Sequence, residues 1–194
     1  EDPAKFDQTD IIAIAVAGVV MVVIGLIVVA LVLVVDVFVA NPLEVGIRRF
    51  FTQNLNQPAG VKEITYAFDK NYKNIAKTMF YRDLYTFLWS LLFIIPGVVK
   101  AYEYRMIPYL LAENPEMSRE EAFAISKQMM SGQKWRTFVL DLSFFGWILL
   151  SGFTCGILAI FYVNPYVFST QSALYEALRY GNAQGIGGIV DQPQ

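Results

Sequence analysis

An all-α fold, a polytopic transmembrane helical bundle of about five membrane segments with interfacial amphipathic helices, is what this sequence predicts. Three observations predict it. Ile11 to Val35 is a run of 25 residues without a single Asp, Glu, Lys, Arg, Asn or Gln. The whole chain is 56% hydrophobic and 16% charged, with a mean hydropathy of +0.45, less polar than a soluble surface requires. Further apolar stretches recur beyond Leu84, separated by segments rich in Lys and Arg.

The first run decides the class. At about 1.5 Å per residue it extends roughly 37 Å as a helix, against a hydrocarbon core of about 30 Å. Its Val and Ile would favour strands in water, but a lone strand in lipid leaves its backbone groups unpaired. A signal peptide has a basic start and a shorter apolar core; here Glu1, Asp2, Asp7 and Asp10 precede the run. A chain of 194 residues also has little protein with which to enclose so long a helix.

After this helix, Asn41-Pro42 reads as a breaker. Leu43–Phe51 reads as a short amphipathic piece and 52–62 as a loop. Ile64 to Tyr81 places Ile64, Phe68, Tyr72, Ile75 and Met79 at helical spacing, with Lys70, Lys73 and Lys77 mainly elsewhere, the pattern of an interfacial helix. Leu84–Val99 is apolar and interrupted by Pro96-Gly97, a kink or the tip of a helical hairpin. Val98–Ala112 is more polar and ends at Glu113-Asn114-Pro115. Ser118 with Glu121 predicts a capping box for a helix over about 119–130, with Gly132 ending it. Two apolar helices follow, about Trp135–Ser151 and Ile157–Leu178, joined by a link too short for anything but an antiparallel hairpin. These elements divide the chain into a polar flank (1–10), one membrane domain (11–179) and a flexible tail (180–194).

Positive charge sets the topology. Segment 36–83 carries seven Lys/Arg, segment 113–137 four, and the link 152–156 none. Cytoplasmic placement of the basic segments is satisfied if one helix rises over 79–95, turns outside at Pro96-Gly97, and another descends over 98–112. The N-terminus is then outside and the C-terminus inside, with five segments. A kinked arrangement of four segments is the alternative.

The stretches NPLEVGIRRFF, MFYRDLYTFLWSLLFIIPGVVKAYEYRMIPYLLAENPEMSREEAFAISKQMMSGQKWRTFVLDLSFFGWILL and TCGILAIFYVNPY resemble domain-of-unknown-function family 975, bacterial integral-membrane proteins found mainly in Gram-positive species. The resemblance covers about residues 41–180. It implies a multi-pass protein of the bacterial cytoplasmic membrane and carries no catalytic role with it. Family members usually have two apolar segments before the Asn-Pro and a cytoplasmic N-terminus; a truncated first helix would explain the single segment here.

Two residue groups are candidate sites. Lys100, Glu103, Arg105, Asp141 and Asn164 form a possible intramembrane polar site, since charges at membrane depth usually face a bundle interior or a wet cavity. Glu103 is spaced to pair with Lys100, leaving Arg105 for a headgroup or another helix, and Asp141 is expected to pair with a basic residue from elsewhere. Interfacial snorkelling of the first three residues is the plain alternative, and a packing kink is the plain reading of Asn164-Pro165. Arg48, Arg49, Lys73, Lys77 and Arg82 are candidate headgroup contacts, forming a cytoplasmic-side basic rim, a pattern that topology alone also produces.

The function classes narrow accordingly. Histidine is absent and Cys155 is the single cysteine, which argues against a zinc site, a Cys/His nucleophile and an intrachain disulfide. No cofactor is implied. Fifteen Lys+Arg against 17 Asp+Glu give no footprint for nucleic acid. The sequence therefore reads as an accessory or scaffold protein that binds membrane lipids or another membrane protein, with a small-molecule or ion transporter component as the alternative. Ala13, Ala17 and Gly18 permit a homo-oligomer without requiring one.

Overall fold

The computed structural model describes residues 7–154 and 156–181. The flank 1–6, Cys155 and the tail from 182 onward lie outside the described residues. Every element among those described is helical. The chain divides into two units, Glu1–Ala40 and Asn41–Gln194.

The first unit is helix α1, Gln8–Val35, followed by a π-helical turn, Asp36–Ala40. Asp7 caps α1 by accepting from the Gln8 amide at 2.7 Å, and Asp10 accepts from the Asp7 amide in return. That reciprocal pair satisfies amide groups a helix start would otherwise leave open. No residue of α1 is buried.

The second unit is built around a short, enclosed helix. Its elements are α2 (Asn41–Asn56), a 3-10 turn (Val61–Thr65), α3 (Tyr66–Asp69), α4 (Tyr72–Leu92), α5 (Ile94–Glu103), α6 (Ile107–Glu113), α7 (Arg119–Met129), α8 (Lys134–Ser143), α9 (Phe145–Phe153) and α10 (Asn164–Glu176). A π-helical turn, Ala159–Val163, precedes α10 and another, Ala177–Gly181, follows it. Six consecutive residues of α6, Ile107–Ala112, are buried. Val45, Ile75, Met79, Ala122, Met130 and Tyr175 pack with them in one core.

Several boundaries differ from the sequence expectations, each for a local reason. Asn41-Pro42 is not the expected breaker: Pro42 sits in the first turn of α2, where its missing N–H is not needed, and the helix runs on through Asn56, into the expected loop. Asn164-Pro165 likewise begins α10; the wider hydrogen-bond spacing of the preceding π-helical turn accommodates the proline ring. The expected helix 64–81 is divided because Asn71 adopts a left-handed conformation, φ 41°, which Asn tolerates better than most residues. Its side chain donates to Glu116, and Asn74 donates to the Pro115 and Met117 carbonyls, tying the start of α4 to the loop before α7. The serine cap at Ser118 forms, accepting from the Glu121 amide at 3.2 Å, and α7 ends ahead of Gly132 at φ 75°. The helix expected over 135–151 is two, α8 and α9, meeting at Phe144.

The hairpin turn falls at Phe93, not at Pro96-Gly97. Phe93 is extended (φ −157°, ψ 143°) and directly joins α4 to α5. Pro96 then lies in the first turn of α5, and Gly97 is where the two arms touch: an added β-carbon would sit 2.2 Å from Ser90 Oγ. The expected helix over 98–112 is interrupted at 104–106, between α5 and α6. Its second half belongs to the protein's own core.

One part of this unit is a packed core; another is uncovered. Leu91, Leu92, Phe93, Ile94 and Ile95 at the hairpin tip are 65–80% exposed. Phe145, Trp147, Ile148, Leu149, Leu150 and Phe153 of α9 are exposed, as are Ile157, Ile160 and Phe161 beyond it. Among the described residues two helical stretches are long and apolar enough to cross a membrane, one within Gln8–Asn56 and one made of α8 and α9 together, Lys134–Phe153.

Candidate functional site

Polar side chains gather where the hairpin α4–α5 meets α2. Glu44 and Arg48 are four residues apart on α2 and pair at 3.2 Å, the spacing that puts two side chains on one helix face. Arg82 of α4 reaches the other Glu44 oxygen at 2.9 Å and holds Asp83 at 2.8 Å. Asn41 donates to Asp83 at 2.7 Å, and Arg48 donates to Gln171 at 2.7 Å and to the Tyr109 hydroxyl at 3.2 Å. This network joins α2, α4, α6 and α10. Burial acts to raise the Glu44 pKa, but Arg82 and Arg48 beside it more than offset that and hold it below the ordinary carboxylate value.

A second network lies at the base of α5. The Glu103 carboxylate is buried and accepts from Lys100 at 2.5 Å and from Lys134 of α8 at 2.6 Å. Arg105 makes a two-pronged pair with Asp141 of α8, at 2.5 and 2.8 Å, and the Tyr102 hydroxyl also donates to Asp141 at 2.8 Å. Ser126 of α7 donates to the Glu103 carbonyl at 2.7 Å and accepts from the Met106 amide at 3.3 Å. The charge-assisted bonds fix the α5–α6 turn against α8, and the neutral bonds through Ser126 fix it against α7.

Between the networks is a cleft of about 430 Å³. Glu44 and Arg48 line it from α2; Arg82, Asp83, Thr86, Phe87 and Ser90 from α4; Ala101, Tyr104 and Arg105 from α5 and the turn after it. Arg48 keeps its Nε buried with no hydrogen-bond partner, which costs about 1–3 kcal/mol for a polar group.

Of the polar group expected from the sequence, Lys100, Glu103, Arg105 and Asp141 share the α5–α8 contact, while Asn164 is exposed and stands apart from it. The five basic candidates divide. Arg48 and Arg82 turn inward onto Glu44; Arg49 pairs with Glu63 at 2.6 Å, donates to the Ala112 carbonyl and stacks 3.8 Å over Tyr66. Only Lys73 and Lys77 stay exposed, so these residues do not form a single rim. Sequence reasoning misses Glu44, Asp83, Tyr109, Lys134 and Gln171. The Glu44–Arg48 spacing is a usable signal for one pair; the rest depend on contacts between residues far apart in the chain.

A family model described as a protein of unknown function (DUF975) matches residues 73–182, more than half of the chain. No curated protein and no solved structure matches it.

Proposed function

The chain belongs to the DUF975 family, and from that premise we propose that it is an integral membrane accessory protein that binds lipid or another membrane protein. The observation that carries the reading is the uncovered apolar surface of the hairpin tip and of α9 beside a well-packed core. Exposed apolar patches this continuous need a cover, and lipid is the cover that their lengths fit. The 20 residues of Lys134–Phe153 rise about 30 Å, the thickness of the hydrocarbon core. The following helical stretch returns across it, and α1 is long enough to cross as well.

The hairpin enters without crossing. From Arg82 to Leu92, and again along α5, each arm rises about 15 Å, so Phe93 reaches about the bilayer midplane. A re-entrant hairpin returns to the side it left, which keeps both basic segments cytoplasmic without an external turn at Pro96-Gly97. Five segments then enter the bilayer, two of them as the re-entrant pair. In the polar networks every carboxylate is held by a cation of the chain, which favours a binding or scaffolding role over a transport path.

Reconstitution into phospholipid vesicles tests this. The chain is expected to resist alkaline carbonate extraction and to give no substrate-dependent flux across a broad solute panel. Release by carbonate contradicts the membrane assignment. Flux that falls in Glu103→Gln or Asp141→Asn replaces accessory binding with transport.

A further inference from the structure

We propose that the cleft between α2 and the α4–α5 hairpin is a binding site for a singly charged phosphate-type oxyanion, presented either by a phospholipid headgroup or as free phosphate. The proposal rests on the membrane assignment only for the lipid source. Three guanidinium groups, Arg48, Arg82 and Arg105, line one cleft of about 430 Å³. That is space for a headgroup-sized ligand, and guanidinium matches phosphate by paired N–H donors.

The supply of donors leaves room for such a ligand. Each guanidinium has five N–H donors. Arg105 binds Asp141 through its two terminal nitrogens, which uses two of those five donors. Charge sets the valence. The side chains that line the cleft carry three cations, Arg48, Arg82 and Arg105, against two carboxylates, Glu44 and Asp83. One positive charge remains, which suits a phosphodiester better than a doubly charged monoester.

The cleft is also amphipathic. Phe87 lines it and is 61% exposed, and Leu91, one turn further along α4, is 71% exposed. A headgroup held by the arginines would leave an acyl chain beside apolar side chains of the hairpin. This continuity favours the lipid source.

Native mass spectrometry of the full chain released from detergent micelles tests the site, with phosphatidylglycerol, phosphatidylcholine and inorganic phosphate as probes. One phosphatidylglycerol per chain is expected, at a concentration at least tenfold below that needed for phosphatidylcholine. Ala101→Trp fills the cleft without touching an ion pair and is expected to weaken retention at least tenfold. The double variant Arg105→Gln/Asp141→Asn, which removes both charges of one pair together, is expected to do the same. Competition by inorganic phosphate at equal concentration would assign the site to the free anion; no competition assigns it to the lipid diester. Unchanged retention in both variants, each shown to be folded by its thermal transition, or equal retention of the two lipids, overturns the proposal. Carbonate extraction of the same proteins reconstituted into phospholipid vesicles separates the cases: a chain that stays embedded yet retains no anion loses this site and keeps its membrane assignment.

Discussion

Gly97→Val will open the α4–α5 hairpin and destabilise the protein by about 3 kcal/mol, at the upper end of what overpacking a tight contact costs. A β-carbon at Gly97 would lie 2.2 Å from Ser90 Oγ, 2.6 Å from Ser90 Cα and 2.8 Å from Ser90 Cβ. The clash with the Ser90 backbone makes the effect large. A hydroxyl can rotate away, but backbone moves only if the two arms separate, and Phe93 is all that joins them. Shortening the partner with Ser90→Gly therefore restores little of the loss. Equilibrium unfolding in mixed micelles measures both variants. A Gly97→Val protein as stable as the parent would mean that the arms are not in close contact.

Glu103→Gln is the second large effect, a loss of about 2–3 kcal/mol. Breaking a fully buried ion pair from one side costs about 3–5 kcal/mol, because the remaining charge keeps its desolvation penalty without its partner. Here one carboxylate serves two ammonium groups, Lys100 and Lys134, whose side chains remain 22% and 31% exposed. Water reaches them in part, which lowers the expected figure. An amide keeps one acceptor oxygen and turns N–H donors towards a second cation. A double-mutant cycle isolates the pair: adding Lys134→Gln to Glu103→Gln should cost less than the sum of the single changes. Strict additivity would show that Lys134 and Glu103 do not interact.

The sequence reveals the parts of this fold that are local. The helix α1 is legible because its apolar run is longer than any alternative structure can hide. Ser118 announces α7 because a cap acts within four residues. The turn at Phe93 is not legible: Pro96-Gly97 looks like the breaker, yet proline is well tolerated in a helix's first turn and Gly97 is there for helix contact. The fate of Ile107–Ala112 is hidden as well. Its apolar character suits either lipid or a protein core, and the choice depends on Val45, Ile75, Met79 and Tyr175 arriving from distant positions. The same holds for the site. Lys100 and Glu103 advertise themselves by spacing, whereas Arg105–Asp141 and Arg82–Glu44 span 36 and 38 residues and leave no periodic trace.

Depth at the hairpin tip tests the central claim most directly. With Cys155→Ser removing the one native cysteine, a nitroxide is placed at Phe93→Cys and, separately, at Lys77→Cys in vesicle-reconstituted protein. Lipid-soluble oxygen is expected to relax the tip label strongly while a water-soluble nickel complex leaves it almost untouched, with the reverse at residue 77. Equal access of the nickel complex to both labels would mean that water, not lipid, covers the tip, and the membrane account would fail.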